Sequence, residues 1–285
     1  MKLKKAAIMF ATSVAICASS VVSFAATDTA IGSGAVNGTV NGDVTNDNVA
    51  YNLITNFSNK MKQNGSFKVH EYINTSITVT DGSTSETDSS DITKITSVNG
   101  DKMMGTINAV KYENGIKGAD ETANLYAYRD GDKVKTFEVT PTGEVTRLEQ
   151  AYAPLADMYF PIKFHGNETV TLEGNEYVVT GFLTKEDYGN SITSEVTDDL
   201  SMSGLDATEL IGNIPYVCRF NATTGDLTLM KIDMSGVLNG MTELIKSLGA
   251  EGIPELAGFG MSGTMTYTST ISVEATDVVI PENLK

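Results

Sequence analysis

Few side chains in this 285-residue chain have catalytic potential: two histidines, two cysteines and no tryptophan. A histidine base works only beside a nucleophile and an orienting partner. His70 has neither: it falls on the polar side of an alternating segment, beside Lys68 and Tyr72, and reads as a surface residue. His165 lies far away in sequence. Cys218 alternates with Tyr216 and Phe220, while Arg219 points the other way. With no basic group to stabilise a thiolate, it reads as a buried structural thiol. Asp198 and Asp199 are adjacent, so their carboxylates diverge. The acidic stretch with Asp81, Glu86, Asp88 and Asp91 lacks the ligand spacing and central glycine of a calcium loop, and reads as a solvated loop from Asp81 to Asp91. Gly258-Phe259-Gly260 lacks the strand and continuation of a dinucleotide fingerprint, and no G-x-S-x-G, H-E-x-x-H or P-loop occurs. The expectation is a protein that is not an enzyme and takes no cofactor or metal.

The overall balance narrows the partners. A formal charge of −16 argues against nucleic acid, and the low cysteine count argues against a disulfide framework. Thr outnumbers Leu by 35 to 17, which favours strands. Lys2, Lys4 and Lys5 precede an uncharged run from Ala6 to Ala25 that closes on Ser23-Phe24-Ala25. A basic, then apolar, then small-x-small pattern is that of a secretory signal peptide. Residues 1–25 are therefore expected to be removed, leaving no integral membrane segment. A lipid anchor on Cys17 would need a small residue where Ile16 stands. Loss of the three lysines carries the charge to −19, a self-repelling surface expected to be monomeric and extracytoplasmic.

The elements follow from periodicity. Residues 26–46 are rich in Gly, Asn and Thr and read as a flexible leader. Val49, Ala50, Leu53, Ile54, Phe57 and Met61 recur at helical spacing, predicting a helix over Asp47 to Gln63. From Phe67 to Thr80 the period switches to two, with Phe67, Val69, Ile73, Ile77 and Val79 on one face. Alternating segments then follow one another across turns such as Asn99-Gly100, Glu113-Asn114-Gly115 and Asp130-Gly131-Asp132, which predict antiparallel hairpins. Gln150 to Tyr159 reads as a short helix. Lys185 to Asn213 loses alternation and suggests helical pieces, and Val237 to Leu248 is a further helix. Thr264 to Val273 is a clean final strand. With no linker composition inside it, 47–285 reads as a single domain: a mainly β (α+β) fold with a curved antiparallel sheet.

This order of elements resembles the LolA/LppX/LprG-like group of secreted proteins and (lipo)proteins, including uncharacterised Gram-positive members. The likeness is carried by Ala127-Tyr128-Arg129-Asp130-Gly131-Asp132-Lys133, the Tyr216 to Met234 hairpin and the closing Val278 to Glu282. The resemblance implies a half-barrel sheet covered by the N-terminal helix and helical insertions, with a hydrophobic cavity between that carries acyl chains.

A bacterial, secreted or envelope-associated carrier of a lipid or other amphiphile is the resulting expectation. Methionines cluster late in the chain, at Met202, Met230, Met234, Met241, Met261 and Met265. They suit either gap-filling core or an adaptable wall around a flexible apolar ligand. The expected lining is Phe57, Ile73, Ile77, Met230, Met234, Leu238, Met241 and Met261. The alternative is a cell-surface interaction or scaffold module with a filled core and no ligand.

Overall fold

A computed structural model describes residues 46–81, 84–152, 154–184, 186–187, 212–250 and 259–285. The expected signal peptide, Cys17, most of the leader, Met202 and nearly all of Lys185 to Asn213 lie outside the described residues.

Helix α1 spans Asn46–Asn64. Its apolar residues at spacings of four, three and four (Ala50, Ile54, Phe57 and Met61) are all buried. It ends where Gly65 adopts a φ of 64° and returns its N–H to the Met61 carbonyl at 2.9 Å, a left-handed cap that a side chain would strain.

Eleven strands follow. They are β1 (Ser66–Asp81), β2 (Thr84–Asn99), β3 (Lys102–Glu113), β4 (Ile116–Asp130), β5 (Lys133–Val139), β6 (Val145–Ala151), β7 (Thr169–Glu173), β8 (Glu176–Leu183), β9 (Ile214–Asn221), β10 (Leu227–Asp233) and β11 (Phe259–Ser272). They form one antiparallel sheet in the order β6-β5-β4-β3-β2-β1-β11-β10-β9-β8-β7. The chain starts at the centre with β1, meanders out to the β6 edge, passes to the opposite edge at β7, and meanders back until β11 pairs with β1. The sheet is curved and open, not closed into a barrel. Its hairpins turn where the sequence predicts. Asn114 and Gly115, for example, adopt φ of 50° and 79°, the left-handed pair that matches strand twist.

Two expectations change. The stretch Asp81 to Asp91 is not a loop: β1 and β2 pair from Asp81↔Thr84 onward, and Ser90 is buried. Its polar side chains masked a strand whose backbone bonds come from β1 and β3. The helix expected from Gln150 shrinks to α2 (Leu155–Tyr159), because Gln150 and Ala151 still pair with β5.

The two faces of the sheet are unlike. One carries the main core, with Val69, Ile73, Ile77, Ile92, Leu125, Met230, Ile232 and Ile271 beneath α1, α2 and α3 (Ser235–Ala250). The connection from β6 to β7 runs between opposite edges and lays Leu155, Tyr159, Phe160 and Ile162 on this dry face. Phe57 of α1 meets Phe160 and Phe220 edge-on, at 5.0 and 6.1 Å. On the other face the C-terminal tail packs Val278, Ile280 and Leu284 against Phe137, Tyr126 and Tyr128.

Candidate functional site

The dry face is not uniformly apolar. Odd residues of β1 face it, and these include Glu71 and Thr75 as well as Val69 and Ile73. Even residues of β2 do the same, placing Lys94 and Thr96 between Ile92 and Val98. Register sets Glu71 between Lys94 on one side and Ser269 on the other. The Lys94 Nζ stands 3.2 Å from Glu71 Oε2, and each side chain is only 3 % exposed. Tyr267 donates its hydroxyl to Glu71 Oε1 at 3.0 Å. Tyr159, delivered by α2, lies over the pair with its ring centroid 5.3 Å from Lys94 Nζ, and its hydroxyl donates to Met103 Sδ at 2.9 Å.

Burial and charge act against each other here. Burial pushes the Lys94 pKa down, but the Glu71 carboxylate and the Tyr159 phenol outweigh it, and the net direction is up. Burial raises the phenols of Tyr159 and Tyr267, Tyr267 well above the usual range, with Glu71 adding to both. Among the described residues, the buried side-chain oxygens that no hydrogen bond reaches are Glu71 Oε2, Thr75 Oγ1, Thr96 Oγ1 and Ser269 Oγ. All four lie on this face. Glu71 Oε2 has Lys94 beside it as an ion but out of hydrogen-bond alignment. Thr96 and Ser269 stand near enough to Tyr159 and Tyr267 to temper their rise, yet make no hydrogen bond of good geometry. A buried oxygen without a well-formed hydrogen bond costs about 1–3 kcal/mol, so these groups make the ion pair's surroundings locally unfavourable.

A cavity of about 430 Å³ opens beside this cluster, between the end of α1, the β2–β3 turn and α2. Met61, Phe67 and Leu155 give it an apolar floor. Its rim is polar: Lys62 pairs with Asp157 at 2.7 Å, and Tyr152 donates to Asp101 at 2.9 Å. Phe67 is the partition, because its ring also meets Tyr159 edge-on at 5.9 Å.

The expected lining residues are placed as follows by the fold. Phe57, Ile73, Ile77, Met230, Met234, Leu238 and Met261 come together, but as buried members of the main core. None of them lines the cavity. Met241 lies in α3, with its side chain outside the described residues. Sequence reasoning passed over Glu71, Thr75, Lys94 and Thr96. Strand parity was the available signal, since each is spaced by two from buried apolar neighbours.

His70 is exposed, and Cys218 is fully buried in the core, where burial pushes its thiol up. His165 Nε2 lies 2.7 Å from Asp187 Oδ2, and Thr184 donates to the same carboxylate oxygen from both its backbone N–H and its hydroxyl. Glu168 accepts the backbone N–H groups of His165, Gly166 and Asn167, an arrangement that folds the loop before β7. Among the described residues no cluster of His, Cys, Asp and Glu could hold a metal ion.

No protein-family model matches the chain, and no curated protein matches it. Among solved structures, a DUF1329 family protein from Desulfovibrio piger aligns over 84 % of this chain and 96 % of its own length, at 10 % identity and a TM-score of 0.24.

Proposed function

We propose that this protein is a secreted, non-enzymatic carrier that holds a hydrophobic or amphiphilic ligand between its curved sheet and the covering helices, in the manner of the LolA-like group. The cavity beneath α2 carries the reading. Its volume of about 430 Å³ falls within the roughly 300–1,000 Å³ of small-molecule sites. An apolar floor beneath a charged rim suits a ligand with one greasy and one polar end. Affinity would come from apolar burial, about 25 cal/mol per Å² before association costs are subtracted. Among the described residues no helix is long and apolar enough to cross a membrane.

The near-complete burial of Ile73, Met230 and Leu238 favours a second reading, a cell-surface interaction module whose core is already full. Native mass spectrometry of protein purified without detergent separates the two. A carrier retains a mass increment that denaturation releases, or takes up a fluorescent acyl probe saturably at one equivalent. A clean polypeptide mass together with no saturable uptake rejects the carrier and leaves the filled module.

A further inference from the structure

We infer that β6 is a self-complementary docking edge, through which two copies of this chain join their sheets antiparallel about a two-fold axis at Leu148. It holds whether or not the cavity is filled. β6 ends the sheet, and among the described residues only β5 pairs with it. Backbone bonding fixes which way its groups point. Thr140 donates its N–H to the Glu144 carbonyl, and Tyr152 donates to that of Asp132, so Glu144 and Tyr152 bond inward toward β5. Antiparallel bonding alternates along a strand. Thr146, Leu148 and Gln150 therefore bond inward too, while Val145, Arg147, Glu149 and Ala151 turn their N–H and C=O groups out of the sheet. The usual blunting of an edge by proline or a bulge does not occur here: Val145–Ala151 holds neither Pro nor Gly, and its register with β5 is unbroken. Every residue from Val145 to Glu149 is exposed. The opposite edge differs, since β7 has five residues to the seven of β6 and α1 packs against it.

Charge selects a second copy as the occupant. Antiparallel pairing centred on Leu148 sets Arg147 opposite Glu149 of the second copy, and Glu149 opposite its Arg147. The outward-bonding residues meet as hydrogen-bonded pairs, and the two Leu148 side chains meet in a non-hydrogen-bonded pair, where side chains approach most closely. The register is specified as well. A slip by two residues one way sets Arg147 against Arg147, and the other way Glu149 against Glu149. Within one chain Arg147 and Glu149 already form an ion pair along the strand. The guanidinium has donors and the carboxylate acceptors to spare, so the second copy extends this pair into a ladder of alternating charge. The net charge of −16 opposes association, but salt screens it beyond about 8 Å. Locally the edge is balanced: β5 and β6 carry Lys133, Lys135 and Arg147 against Glu138 and Glu149.

Sedimentation velocity over a concentration series, up to millimolar protein, tests the edge. Wild type should show a reversible monomer–dimer equilibrium. Arg147→Glu sets like charges opposite each other twice in the dimer and should weaken it by about tenfold or more. The R147E/E149R variant restores opposite signs in the same register and should return the affinity close to that of wild type, which a merely damaged strand would not do. Arg147→Pro removes an outward N–H and spares the bonds to β5, so it should abolish the dimer while circular dichroism and the thermal midpoint stay near those of wild type. A wild type that remains monomeric throughout the series, or a dimer equally tight in wild type and R147E, overturns the docking edge and leaves the carrier reading untouched.

Discussion

Replacing Lys94 with methionine isolates the electrostatics of the dry face. At 3.2 Å and an effective dielectric near 20, the Glu71–Lys94 attraction is about 5 kcal/mol. The substitution removes that attraction and leaves a carboxylate buried among apolar side chains, so a loss of about 3–5 kcal/mol is expected. In the E71Q/K94M double variant the amide still accepts from Tyr267 and no lone charge remains, so stability should return to within about 1–2 kcal/mol of wild type. Urea unfolding of wild type, E71Q, K94M and E71Q/K94M at pH 8 measures this, provided the slopes agree. Additive losses in the double variant, or a K94M deficit below about 1 kcal/mol, would refute the buried pair as drawn here.

Further expectations are independent of the pair. The buried phenols of Tyr159, Tyr216 and Tyr267 titrate above their unfolded values, so the fold keeps protons that the unfolded chain gives up. Their contribution should be constant below pH 9, and stability should fall once pH exceeds about 10, by about 1.4 kcal/mol per pH unit for each such group, as followed by circular dichroism. Cys218 should resist an aromatic disulfide reagent in the native protein and react stoichiometrically in denaturant; fast native labelling would contradict its burial. Gly105→Ala would set a Cβ 2.5 Å from the Ile95 carbonyl oxygen and 3.1 Å from Thr96 Oγ1. Because backbone yields little, a loss of about 1–3 kcal/mol by thermal unfolding is expected, and a neutral result would mean that β2 and β3 are spaced more widely.

Much of the fold is written in local pattern. Period-two alternation in β1 and β11 and the left-handed turns at Gly100, Gly115 and Gly131 fix a meander without knowledge of distant contacts. The helical spacing of Ala50, Ile54, Phe57 and Met61 does the same for α1. What pattern hid was of one kind: polar residues performing a core task. The Ser and Thr of the first half of β2 look like a loop until β1 and β3 supply their backbone bonds. Glu71 and Lys94 look like surface charges until register sets them face to face. The apolar candidates Phe57, Ile73, Met230 and Leu238 were legible as buried from their periodicity. The cavity forms where α1, the β2–β3 turn and α2 converge, and that meeting is set by the long β6–β7 connection rather than by any short stretch of sequence.

Photo-crosslinking with a diazirine-bearing acyl probe, followed by peptide mapping, addresses the carrier claim most directly. A carrier with this cavity gives saturable labelling, competed by unlabelled ligand, on the peptides containing Met61, Phe67 and Leu155. Labelling confined to exposed positions such as Leu172 or Ile116, or labelling that never saturates, would contradict it.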